Sequence, residues 1–325
     1  MPSFGYIIKK GAKYSGLVTL GLIALLLLLA IIPVSTSGLV SSADPAASYS
    51  DAARRIQGVI DDESGKVCGI CGTTFYTHGD KTANAVVLIH GLTNSPRQFW
   101  ELGQEFYDDG YNVFIPRMPY HGLSTHTVSE LGNLHAQDLQ TFSGQVADIA
   151  VGLGANVVVV GLSGGGTIAA DIAQHRSGID KAVLIAPLFG LAGVPQAGDT
   201  MLGNLFSRFP DVTFSSSSEP PRDSVYLGWS TRGIAEYLIF SRVAQPQTAG
   251  EAAQAGNIVL VTNGNDHTVN NNMSKEIAAE WESSGATITR YEFDASLGLP
   301  HDYIDMTSIG EKSTWVYPIL IGLIE

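Results

Sequence analysis

The 325-residue chain predicts a doubly wound, mostly parallel α/β sheet with an inserted helical cap and a membrane-spanning segment in front of it. Three observations carry that expectation. From residue 85 onward, strand-like segments of five to seven residues, beginning with the continuous apolar run AVVLIH, alternate with helical stretches, as strands of a doubly wound sheet require. The alternation breaks once, over 188–256, where an insertion after a sheet strand is the natural place for a cap. The first apolar run of the chain is longer than any core element needs.

That run is Leu17 to Val34, LVTLGLIALLLLLAIIPV, with Thr19 as its polar member. Lys9, Lys10 and Lys13 precede it with no acidic residue, so residues 1–16 read as a basic cytoplasmic N-terminus. Residues 17–34 then read as a transmembrane anchor, or as a signal segment cleaved near Ser41-Ser42-Ala43. The first choice gives a membrane-anchored protein with its globular part outside the cytoplasm, and the second a secreted one. Residues 35–60 read as a tether because 35–50 are small and polar, and 61–325 as the globular domain. Cys68 and Cys71 form a lone C-x-x-C. An oxidising compartment favours a local disulfide there, and no second pair exists to complete a zinc site.

Within the domain, AVVLIH (85–90) predicts the first strand, and Phe99, Leu102 and Phe106 give a helix over 96–109 that Gly110 ends. Strands follow at 111–116, 156–161 and 181–187, with helices at 134–152 and 164–175 between them. After the insertion come strands at 258–262 and 287–293, a helix over 269–284 between them, and a last helix over 302–324. Leu202, Leu205, Phe206, Phe209, Trp229, Tyr237 and Phe240 predict that 188–256 packs as short helices rather than a loose excursion.

Composition narrows the chemistry. The chain holds 18 basic and 31 acidic residues, a net charge of −13, and the three N-terminal lysines leave the rest more acidic still. Such a surface repels phosphate backbones and argues against nucleic-acid binding. The eight histidines are scattered without metal-ligand spacing, so neither a metal nor a cofactor is expected. Nothing in the sequence fixes an oligomeric state.

Gly161-Leu162-Ser163-Gly164-Gly165 matches G-x-S-x-G where an apolar strand gives way to a helix. A serine on such a sharp bend needs small neighbours, and its hydroxyl is presented at a helix N-terminus that favours a developing anion. No lysine follows, which excludes a phosphate-binding Walker loop. His90-Gly91-Leu92 follows the first strand and faces the same crevice. The amides of Leu92 and Gly164 are the candidate oxyanion donors, while His90 itself reads as a loop brace. Of the histidines after the serine, His175 lies too far down its helix, and His267 adjoins Asp266, from which it diverges. His301, in the loop LGLPHDY before the last helix, is the candidate base, with Asp266 its orienting acid in preference to Asp294 and Asp302.

Residues 80–325 resemble α/β-hydrolases of the carboxylesterase and monoacylglycerol-lipase-like group through HGLTNSP (90–96), PRMPYHG (116–122), GLSGGG (161–166), NGNDHTV (263–269) and LPHDY (299–303). The resemblance implies a serine hydrolase with Ser163, Asp266 and His301 as its triad and Leu92 and Gly164 as its oxyanion amides. Gly164 departs from the methionine that many such proteins carry. The expected reaction is cleavage of small-molecule or lipid-like carboxylic esters through an acyl-enzyme. Amidase, peptidase or acyltransferase chemistry on the same triad is the alternative, and a non-catalytic binding module the third reading.

Overall fold

The computed structural model describes residues 4–215, 224–248 and 250–325, with side chains from residue 17 onward; Lys9, Lys10 and Lys13 therefore lie outside the described side chains, and most of SSSSEPP lies in 216–223, outside the described residues. The first helix, α1, is Phe4–Ile31. Its described apolar part, 17–31, is fifteen residues, or about 22 Å at 1.5 Å per residue, against a hydrocarbon thickness of about 30 Å. Among the described residues no helix is long and apolar enough to cross a membrane, so the expected span over 17–34 is not found.

The stretch expected to be a tether is half ordered. Val34, Leu39 and Ala46 pack against the core, and the Ala46 amide donates to the Asp148 carbonyl at 2.8 Å. Helix α2 (Tyr49–Glu63) follows. The Ser48 hydroxyl caps it by accepting from the Asp51 amide. Its Ala52 and Ile56 are fully buried, and the Ile56 side chain alone contributes roughly 1.5–3 kcal/mol. The small, polar residues before it hid this amphipathic turn-and-a-half of apolar contacts.

The sheet then builds up in chain order: β1 (Thr74–Tyr76), β2 (Thr82–Ile89), α3 (Trp100–Asp108), β3 (Asn112–Ile115), α4 (Ala136–Ala150), β4 (Gly154–Leu162), α5 (Gly164–His175) and β5 (Lys181–Ile185). The cap interrupts here with α6 (Gln196–Phe206), β6 (Thr213–Ser215), β7 (Gly228–Ser230) and α7 (Thr231–Ser241). Alternation resumes with β8 (Asn257–Asn263), α8 (Asn271–Ser283) and β9 (Thr287–Phe293), and the chain closes with α9 (Met306–Ile309) and α10 (Ser313–Ile324).

Among the described residues the sheet has seven strands in the order β1-β3-β2-β4-β5-β8-β9. All its pairings are parallel except that of β1, whose Thr74 opposes Ile115 of β3. This edge strand of three half-buried residues has no apolar run and left no periodic signal. The cap is not purely helical, since β6 and β7 pair antiparallel, Thr213 opposite Ser230. The final helix starts at Ser313 rather than 302. The Asp302 and Asp305 carboxylates accept the amides of Ile304 and Thr307 in turns, and Gly310 at φ +53° interrupts the helical path. The core lies on both faces of the sheet, with Val86–Ile89, Val159–Val160 and Ala182–Ile185 wholly buried.

Candidate active site

Parallel strands bring every predicted site residue to one end of the sheet. Ser163 lies between β4 and α5, Leu92 just after β2, Asp266 after β8 and His301 after β9. Ser163 has φ +56° and ψ −116°, a conformation that non-glycine residues avoid and that surrounding packing must enforce. That packing is backbone on backbone. A Cβ on Gly161 would stand 2.0 Å from the Gly165 carbonyl oxygen, and one on Gly165 would stand 2.0 Å from that of Ile89. The Ser163 amide donates to Ile185 at 2.9 Å, and its carbonyl accepts from Leu188 at 3.0 Å, so the bend is tied to β5 as well.

His301 Nδ1 donates to Asp266 Oδ2 at 2.6 Å. The other carboxylate oxygen accepts the amides of Thr268 at 2.8 Å and Val269 at 3.3 Å. Burial pushes the Asp266 carboxyl upward, but the bond and charge of His301 together with those amides outweigh it, and its pKa is held below the ordinary value. The remaining ring nitrogen, His301 Nε2, is buried and makes no hydrogen bond among the described residues. His301 lines a cavity of about 640 Å³ together with Ser163, Gly91 and Leu92. The cavity's apolar surface comes from Leu188 and Leu191 and, in the cap, from Leu202, Phe206, Trp229 and Ile234. His267, the histidine set aside, lines the same cavity but its carboxylate neighbour is bound to His301.

Gly164 opens α5, where the first amides of a helix have no intrahelical acceptor. Its departure to glycine has a local reason: an added Cβ would lie 2.8 Å from the ring of Tyr237, fully buried on α7 of the cap. The Tyr237 hydroxyl in turn donates to Met118 Sδ at 2.9 Å. His90 accepts the Met118 amide on Nε2 at 3.1 Å, the bracing role expected of it. His121 Nε2 donates to the Leu92 carbonyl at 2.6 Å and so fixes the peptide preceding Thr93.

Several supporting groups left no motif in the sequence. Asn263 and Asn265 donate to the Leu299 carbonyl, both at 3.0 Å, and Asn263 also to Pro300, which holds the His301 loop to the Asp266 loop. Gln98 accepts the Gly91 amide at 2.8 Å and donates to Asp302 Oδ2 at 2.8 Å, where Asn94 also donates at 3.2 Å. Burial raises the Asp302 pKa, with the Asp305 amide and Gln98 opposing the shift. Gln98 thus ties the loop of Leu92 to the loop of His301 across 204 residues of sequence. Gln98→Ala should leave a buried amide and a carboxylate short of partners. We expect kcat to fall about tenfold with KM nearly constant, measured on a soluble ester, since the loss concerns alignment rather than substrate contact.

Cys68 and Cys71 are joined as a disulfide, and the Cys68 amide donates to Gly122 at 2.9 Å, next to His121. Among the described residues no group of three or more His, Cys, Asp or Glu is set to hold a metal ion.

Known proteins give the same architecture. Over 195 residues, 57% of this chain and 71% of the relative, the sequence is 29% identical to a thermostable monoacylglycerol lipase of Bacillus sp. (strain H-257). The fold is similar to that of one of the metagenome-derived lipolytic enzymes LipS and LipT (TM-score 0.57, 17% identity, 80% of this chain and 99% of that one). It is also similar to a monoacylglycerol lipase of Paleococcus ferrophilus (TM-score 0.56, 15% identity, 78% of this chain and 97% of that one). The family model described as serine aminopeptidase, S33, matches residues 80–293, which run from the edge of β2 to the end of β9 and enclose Ser163, Asp266 and the whole cap. With the sheet order and the strained serine bend in place, the chain belongs to this family of lipase- and esterase-like α/β-hydrolases.

Proposed function

We propose that the protein is a serine carboxylesterase that cleaves lipid-like esters through an acyl-enzyme. One observation carries this reading: His301 is bonded to Asp266 through Nδ1, its buried Nε2 makes no hydrogen bond among the described residues, and its side chain lines the same cavity as Ser163. In the proposed cycle Nε2 takes the proton of Ser163 Oγ as the hydroxyl attacks the ester carbonyl. The amides of Leu92 and Gly164 stabilise the oxyanion. His301 returns the proton to the departing alcohol; a water then attacks the acyl-enzyme carbonyl as the same nitrogen takes its proton, and that proton passes to Ser163 Oγ as the acid leaves. Asp266 stays ionised throughout, since its pKa is held down by partners that persist.

The apolar cavity wall favours an acyl chain over a charged substrate, and the monoacylglycerol lipases among the similar proteins fit that preference. Medium-chain p-nitrophenyl esters and long-chain monoacylglycerols should exceed acetate esters in kcat/KM by about tenfold or more, since each buried CH₂ is worth roughly 0.8 kcal/mol. The family's description as a serine aminopeptidase favours a second reading, an amidase on the same triad. Hydrolysis of aminoacyl anilides at rates rivalling the esters would replace the first reading with the second. For localisation we propose attachment to a membrane through the N-terminal apolar segment with the catalytic domain outside the cytoplasm, or secretion if that segment is cleaved.

A further inference from the structure

Residues 17–32 present Leu17, Val18, Leu20, Leu22, Ile23, Leu25, Leu26, Leu27, Leu28, Ile31 and Ile32 exposed. Leu25 to Leu28 are four successive residues, each turned about 100° from the last, so the apolar surface goes round the helix rather than along one stripe. A protein groove covers one side of a helix. A surface apolar on every side fits lipid.

The far end of this helix is gripped by the cap. Asn204 of α6, almost fully buried, donates to the Ala30 carbonyl and accepts the Val34 amide, both at 3.0 Å. The Arg208 guanidinium donates to Leu29 and Ile32 at 2.7 Å and to Pro33 at 3.2 Å. These are carbonyls that a helix C-terminus leaves without internal partners, and water ordinarily takes them. Here Asn204 belongs to the helix that also lines the cavity with Leu202 and Phe206, and Arg208 follows just after that helix ends. The cap exposes Met201 on α6 and Val212, Phe214 and Trp229 beyond it, and Trp229 stacks on Phe214 and reaches the cavity.

We propose that Asn204 and Arg208 clamp a lipid-embedded α1 to the cap, so that the protein docks on a phospholipid bilayer with the cavity mouth beside it and takes its substrate from that surface. Docking of this kind needs no crossing of the bilayer. The substrate half of the inference rests on the esterase reading above; the docking half does not.

The test uses the full chain with phosphatidylcholine vesicles, plain, brominated in the acyl chains, or carrying a long-chain monoacylglycerol. Wild type should float with the vesicles, and brominated lipid should quench a fluorescence component that Trp229→Phe removes. Arg208→Ala and Asn204→Ala should still float through α1 and keep the wild-type rate on a soluble p-nitrophenyl ester, which reports an intact fold. Both should lose the Trp229 quenching, and their hydrolysis of vesicle-borne monoacylglycerol should fall at least about tenfold as the tethered domain no longer holds its cavity mouth against the bilayer. A wild type that does not float, or that instead assembles through α1 into a dimer, overturns the docking. Variants that quench and hydrolyse vesicle substrate like wild type overturn the clamp. If wild type shows the Trp229 quenching but turns over neither ester, the esterase reading fails and the docking stands.

Discussion

Ser163→Ala is expected to lower kcat/KM for a soluble ester by about 10⁴- to 10⁶-fold and to abolish fluorophosphonate labelling, with the melting temperature held within about 2 °C. The structure separates these two effects. The strain at φ +56° belongs to the backbone and to the Cβ, which alanine keeps, so the bend survives. What disappears, on the proposed mechanism, is the nucleophile. His301→Ala should cost nearly as much, because in the proposed cycle the serine proton passes to Nε2. The double variant should be no worse than either single one, as groups that act as a unit are not additive. Asp266→Asn should cost roughly 10⁴-fold. An asparagine amide turned toward Nδ1 would donate where the carboxylate accepts, which puts the ring proton on Nε2 and removes the acceptor Ser163 needs. Retained labelling of Ser163→Ala, or a His301→Ala enzyme within tenfold of wild type, would remove the triad from the mechanism.

The parts of this site legible in the sequence are those in which local backbone demands dictate residue type. Gly161 and Gly165 are readable because no side chain fits beside the neighbouring carbonyl oxygens, and Ser163 because it sits between them. The parallel order of strands also makes the meeting of residues 92, 163, 266 and 301 readable, since each follows a strand at the same end. Gln98, Asn263 and Asn265 are different. Each is an ordinary polar residue whose meaning depends on a carbonyl or carboxylate in another loop, 34 to 204 residues away. Gly164 shows the same limit from the other side: its small size answers to Tyr237, a cap residue 73 positions later that no local pattern connects to the bend. The N-terminal run meets the same limit: its apolar character gives no sign that the carbonyls around its end at Ile31 are taken by Arg208 and Asn204, cap residues that no local pattern connects to it.

Gly165→Ala should rank with Gly161→Ala among the most damaging single methyl additions at the described glycines. Its Cβ would lie 2.0 Å from the Ile89 carbonyl oxygen, 2.6 Å from the Ile89 carbonyl carbon and 2.6 Å from the His90 carbonyl oxygen. These are backbone atoms of β2 and the turn after it, so no side chain can rotate away. Relief requires the N-terminus of α5 to lift off the sheet. Yet β2 is held by β3 on one side and β4 on the other, and α5 by the Ser163 ties to β5. Overpacking typically costs 1–3 kcal/mol, and a site that cannot yield belongs at or beyond about 3 kcal/mol, a fall in melting temperature of roughly 6–12 °C. Activity should fall further than stability, because the same shift parts Gly164 from Leu92 and turns Ser163 away from His301. Gly256→Ala is the matched control. It sits before β8 with open space around the missing Cβ, and should change neither quantity by more than about 0.5 kcal/mol. If Gly165→Ala melts and turns over ester like Gly256→Ala, then the bend is looser than its carbonyl contacts require, and the enforced geometry of Ser163 loses its physical basis.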